Sequence, residues 1–105
     1  HDPGPLFPWK RLYDEYGVGA WYEEADKQNF ITTAPFIFDG EIVIKEFQTE
    51  LKKYGYDVQP TGIWDEQTKK VTQAFQYHFN PIKYDGMLDV ETWAIIKALN
   101  KKYNP

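Results

Sequence analysis

Apolar side chains recur at intervals of three and four in four stretches of the chain, the spacing that lines one face of an α-helix. Trp9, Leu12, Tyr13 and Tyr16 predict a short helix, with Gly17 placed to end it. Ile44, Phe47, Leu51 and Tyr54 predict a helix over 41–54, stopped by Gly55. Thr68, Val71, Ala74 and Phe75, with His78 or Phe79, predict one over 65–79, with Pro81 beyond its end. Trp93, Ile96, Leu99 and Tyr103 predict a helix over 89–103, where neighbouring Ala and Ile widen the stripe. Residues 22–40 show no such stripe and read as a linker. The opening stretch from Asp2 to Trp9 holds too many prolines for helix or central strand and reads as a rigid, turning segment.

A repeat runs through the later helices. Gly62-Ile63-Trp64-Asp65-Glu66-Gln67-Thr68 matches Gly86-Met87-Leu88-Asp89-Val90-Glu91-Thr92 as Gly, two apolar residues, Asp, two free positions, Thr. Glycine accepts a positive φ in a turn. The apolar pair is expected to insert into the core. Asp caps the coming helix through its free amides, and Thr at the third helical position helps close the cap. A second repeat, Phe47-Gln48 and Phe75-Gln76, overlaps the first. Its phenylalanine faces the core and its glutamine can bond to loop backbone. The two patterns together predict an all-α fold, a bundle of three helices from about 41 to 103.

Composition narrows the function. The net charge of −4 lies in residues 1–40, while residues 41–105 carry nine basic and nine acidic side chains. Neither part offers the basic stripe that nucleic-acid phosphates require, so nucleic acid is excluded as a partner and a neutral polymer such as glycan remains compatible. There is no cysteine, hence no disulfide or thiolate metal site. No transmembrane segment is expected in this chain, because no apolar run reaches spanning length. The chain starts without methionine, which suggests a missing N-terminus.

The arrangement from Phe47-Gln48 through Leu51, Gly55-Tyr56, Gly62 with Thr68, Phe75-Gln76 and Asp85-Gly86 with Thr92 resembles the peptidoglycan-binding domain family. Thr61-Gly62 departs from that family's Asp-Gly, and Asn80-Pro81 replaces its short loop. The opening Asp2-Pro3-Gly4-Pro5-Leu6-Phe7-Pro8-Trp9 resembles the end of the catalytic domain of zinc N-acetylmuramoyl-L-alanine amidases. Tyr54-Gly55-Tyr56-Asp57-Val58 and Ala74-Phe75-Gln76-Tyr77-His78-Phe79 point to that family's lipoprotein members.

These resemblances imply three segments. Residues 1–22 are a helical remnant of an α/β amidase domain, 23–40 a linker and 41–105 the peptidoglycan-binding domain. Asp2 matches the third zinc ligand of the intact parent, while the two histidine ligands and the catalytic lysine fall before residue 1. His1 matches a free position. The parent would use a zinc-activated water to cleave the amide between N-acetylmuramic acid and L-alanine. This chain alone would be inactive and bind no zinc, since one carboxylate cannot build a three-ligand site. The same resemblance implies the periplasm, with an outer-membrane anchor in the missing part.

His78 reads as a packing or surface histidine, and Glu23-Glu24-Ala25-Asp26 as a solvated stretch lacking calcium-loop spacing. The expected glycan-binding residues are Gln48, Trp64, Tyr77 and Tyr84, rings and an amide that helix geometry does not demand for the core. Three roles stay open: part of an amidase whose partner is the missing N-terminal catalytic domain, an independent peptidoglycan anchor, or a structural buttress. The buttress would act through Phe7, Trp9, Trp21 and Phe36 without touching glycan.

Overall fold

The computed structural model describes residues 8–105. Over that span the chain forms five helices and no strand: α1 (Trp9–Tyr16), α2 (Glu24–Thr32), α3 (Glu41–Tyr54), α4 (Glu66–Phe79) and α5 (Val90–Tyr103). Helix α5 is central. Ala94, Ile95, Ile96, Ala98 and Leu99 are fully buried on it, so it is enclosed on several sides rather than striped. Helices α2 and α3 pack against it, and α1 rests on α4.

Phe47, Leu51, Phe75, Ile95, Ile96 and Leu99, all at zero exposure, form the core. Each contributes about 1.5–3 kcal/mol by leaving water. The exposed ion pairs contribute at most about 1 kcal/mol each, so apolar burial dominates the bundle. On α4 the buried stripe is Thr68, Thr72, Phe75, Gln76 and Phe79. That face is turned from the expected one, leaving Ala74 exposed.

The expected caps are present. Asp65 accepts from the Thr68 amide at 2.8 Å and Asp89 from the Thr92 amide at 2.8 Å. Gly62 and Gly86 adopt φ of 82° and 76°. The expectation that both apolar residues after each glycine enter the core is corrected. Ile63 and Met87 are exposed at 66% and 49%, and only Trp64 and Leu88 pack on the core. The carbonyls of Ile63 and Met87 turn inward to accept from Gln48 and Gln76, which leaves their side chains outside.

Residues 23–40, expected as a linker, contain α2. Its sequence has no apolar stripe, and ion pairs to α5 hold it: Glu23 with Lys102, Asp26 with Lys101 and Lys27 with Glu91, each at 2.6 Å. The acidic run is therefore partly engaged with α5 rather than simply solvated. Trp21, just ahead of α2, is buried in the core, and its backbone N–H and C=O both bond to the Tyr103 hydroxyl. Helix α1 buries none of its residues fully. Trp9 stacks on His78 with ring centroids 4.3 Å apart, and Lys102 donates to the Tyr13 hydroxyl at 2.7 Å.

Candidate functional site

The two repeats build the same hydrogen-bonded lock. In the first, Gln48 donates from Nε2 to the Ile63 carbonyl and to Thr68 Oγ1, both at 2.9 Å, and its Oε1 accepts from the Gly62 amide at 2.8 Å. In the second, Gln76 makes the same three bonds to Met87, Thr92 and Gly86 at the same distances. Each buried glutamine fixes a glycine turn to the cap of the following helix. The turns therefore stand as rigid supports on the bundle surface.

Gln48 accordingly leaves the list of expected glycan-binding residues. It is fully buried, and both amide hydrogens and its carbonyl oxygen are used inside the protein. No polar group of it remains to orient a sugar. The other three candidates divide between two surfaces. Tyr77 and Tyr84 come together, their ring centroids 5.0 Å apart at 50°. Gln73 bonds to the Tyr84 carbonyl and ties the 81–85 loop to α4. Tyr84 is 42% exposed, so this pair offers aromatic surface to solvent.

Trp64 lines a separate groove of about 460 Å³ with Phe36, Phe38, Ile44, Met87 and Leu88. Its ring stacks on Phe47 at 5.9 Å, and its buried Nε1–H has no hydrogen-bond partner. Phe36 and Ile37, at 103% and 67% exposure, form the groove's outer edge. The periodicity of the sequence does not mark these two as surface, because they belong to no helix.

A larger cavity of about 760 Å³ lies where α1, residues 21–27 and the end of α4 meet, with Trp9, Trp21, Tyr22, His78 and Ile82 among its walls. At its mouth, Lys10 pairs with Asp14 and Arg11 with Glu15. Burial pushes the His78 imidazole below its ordinary value and the Tyr22 phenol above its own. His78 thus favours its neutral form and packs, as the sequence suggested.

Among the described residues, no group of three or more His, Cys, Asp or Glu side chains could hold a metal ion. Asp2, the expected parent ligand, lies outside the described residues. The residues described therefore do not fit a zinc centre. Also among them, no helix is long and apolar enough to cross a membrane.

Residues 43–96 match the family described as "Putative peptidoglycan binding domain". The chain is 44% identical over 104 residues to the N-acetylmuramoyl-L-alanine amidase AmiD of Escherichia coli, a match covering 97% of this chain and 36% of that protein. Among solved structures, AmpDh3 of Pseudomonas aeruginosa is similar with a TM-score of 0.80 at 39% identity, covering 99% of this chain and 39% of that one. A second similar structure is E. coli AmiD with the substrate anhydro-N-acetylmuramic acid-L-Ala-D-gamma-Glu-L-Lys, again with a TM-score of 0.80, at 37% identity over 97% of this chain and 38% of that one. The chain thus spans little more than a third of these relatives.

Proposed function

The chain belongs to the peptidoglycan-binding domain family, and from that premise we propose that it is the wall-binding part of a longer N-acetylmuramoyl-L-alanine amidase. The observation that carries this reading is the double glutamine lock. It lies within the family match and fixes two surface turns. Homology to AmiD along nearly the whole chain supports the amidase as parent.

In this reading the chain does no bond cleavage. It holds peptidoglycan by stacking apolar sugar faces on exposed rings, with Tyr77 and Tyr84 as one contact. Cleavage of the amide between N-acetylmuramic acid and L-alanine belongs to the remainder of the longer protein. AmiD-type amidases are in general zinc enzymes, and by resemblance Asp2 supplies one ligand there. Residues 1–22 are read as the end of the catalytic domain and 41–105 as the binding domain, which α2 in 23–40 joins by packing on α5. The compartment proposed is the periplasm, next to the outer membrane.

The test is sedimentation with insoluble peptidoglycan, using wild type and the double variant Y77A/Y84A. The reading expects zinc-independent co-sedimentation that weakens on removing the two rings. A chain that stays in the supernatant at every peptidoglycan concentration supports the buttress role instead.

A further inference from the structure

The two repeats share every side chain that the lock uses but differ at the second position after the glycine, which is Trp64 in one and Leu88 in the other. Both side chains pack on the core, so the fold is served there by a leucine. The indole adds a donor, and its buried Nε1–H has no partner. Buried polar groups almost always have partners, and an exception calls for an explanation. Helix geometry and the lock supply none, because neither uses the side chain of this position.

We infer that the groove walled by Trp64, Ile44, Met87 and Leu88 is a subsite for the N-acetyl group of an amino sugar, with the Trp64 N–H donating to the acetamido carbonyl. This rests on the peptidoglycan reading and deepens it. The groove's volume of about 460 Å³ falls in the range of small-ligand sites. Its walls are apolar side chains suited to a methyl group and a sugar face. Among the described residues Asp39 is the one charged wall, which gives anionic stem peptides no attraction and favours the neutral glycan. Nε1 itself is buried, so binding requires the groove's edge to move aside for an acceptor. Phe36 and Met87 there are exposed and lie outside helices, and a methionine thioether adapts its shape readily.

The experiment follows the Trp64 indole N–H resonance of the 105-residue chain, assigned with W64F, during titration with an N-acetylglucosamine tetrasaccharide. The matching glucose tetrasaccharide, with hydroxyl in place of acetamido, serves as control, and peptidoglycan sedimentation is run on the same sample. The inference expects the resonance to move with the acetylated probe alone, and W64F to bind that probe about three- to tenfold more weakly, the loss of one neutral hydrogen bond. W64F retains a ring to stack on Phe47, and circular dichroism verifies its fold. If peptidoglycan sediments the chain while the resonance stays fixed or moves equally with both probes, the subsite is wrong and the wall-binding reading survives. If peptidoglycan does not bind, both fall.

Discussion

Gln48 Nε2 stands 2.9 Å from Thr68 Oγ1, and that hydroxyl in turn donates to Asp65 Oδ1 at 2.7 Å. The relationship joins α3, a glycine turn and the cap of α4 in one chain of bonds. Removing the glutamine side chain strands the Gly62 amide and the Ile63 carbonyl in a buried place. Q48A should therefore lose about 2–3 kcal/mol of stability, and Q76A a similar amount, because its bonds have the same lengths. Urea denaturation measures both, and a loss below about 0.5 kcal/mol in either would contradict the lock.

The glycines of the two turns should differ in tolerance. A Cβ at Gly62 would lie 2.5 Å from Glu41 Cγ and 3.1 Å from the Glu41 carbonyl oxygen, whereas at Gly86 the nearest atom is Lys69 Cγ at 3.1 Å. Both positions also have positive φ, so each alanine variant should lose at least about 1 kcal/mol. G62A should lose more, because backbone carbonyls approach the two positions almost equally, at 3.1 Å and 3.2 Å, while only at Gly62 must a side chain also move out of a 2.5 Å clash. Thermal unfolding of G62A and G86A tests the order.

Acid should weaken the start of α5. Burial alone would raise the Asp89 carboxyl, but bonds from the Thr92 amide and hydroxyl and the Lys83 ammonium outweigh it and hold the group below its ordinary value of 3.8. A lowered folded value means that ionisation stabilises the fold. That contribution is complete above about pH 3.8 and is lost as pH falls through the lower folded value. D89A should be less stable than wild type by about 1 kcal/mol at neutral pH, and the gap should narrow below pH 3.8. Denaturation at pH 7 and pH 2.5 reads both halves of the statement. A gap that is constant or widens in acid would rule it out.

The boundary of the binding domain should lie before α2. Trp21 is buried in the core, and α2 covers α5, so a chain beginning at residue 41 exposes that face. Compared with a chain beginning at residue 20, it should be about 3 kcal/mol less stable from the Trp21 side chain alone. Equal melting temperatures for the two would return residues 23–40 to the status of a passive linker.

The local parts of this fold were legible in sequence, because the bonds that make them are short in range. Gly62, Asp65 and Thr68 lie within seven residues, and their turn-and-cap geometry follows from their chemistry. Helix α2 was not legible, since Asp26 and Lys27 find their partners at Lys101 and Glu91, far along the chain. Gln48 fitted two readings, loop bonding and glycan contact, and burial decided for the first. Tyr77 and Tyr84 fall outside the predicted core stripes, and the structure brings them together. The Trp64 groove stayed hidden because Phe36, Trp64 and Leu88 meet only in three dimensions.

The most direct measurement is co-sedimentation of the 105-residue chain with purified peptidoglycan, with and without zinc, alongside an assay for release of stem peptides. The account predicts saturable binding that zinc does not change, and no peptide release. Failure to sediment would contradict the wall-binding role. Peptide release would contradict the assignment of catalysis to the remainder of the longer protein.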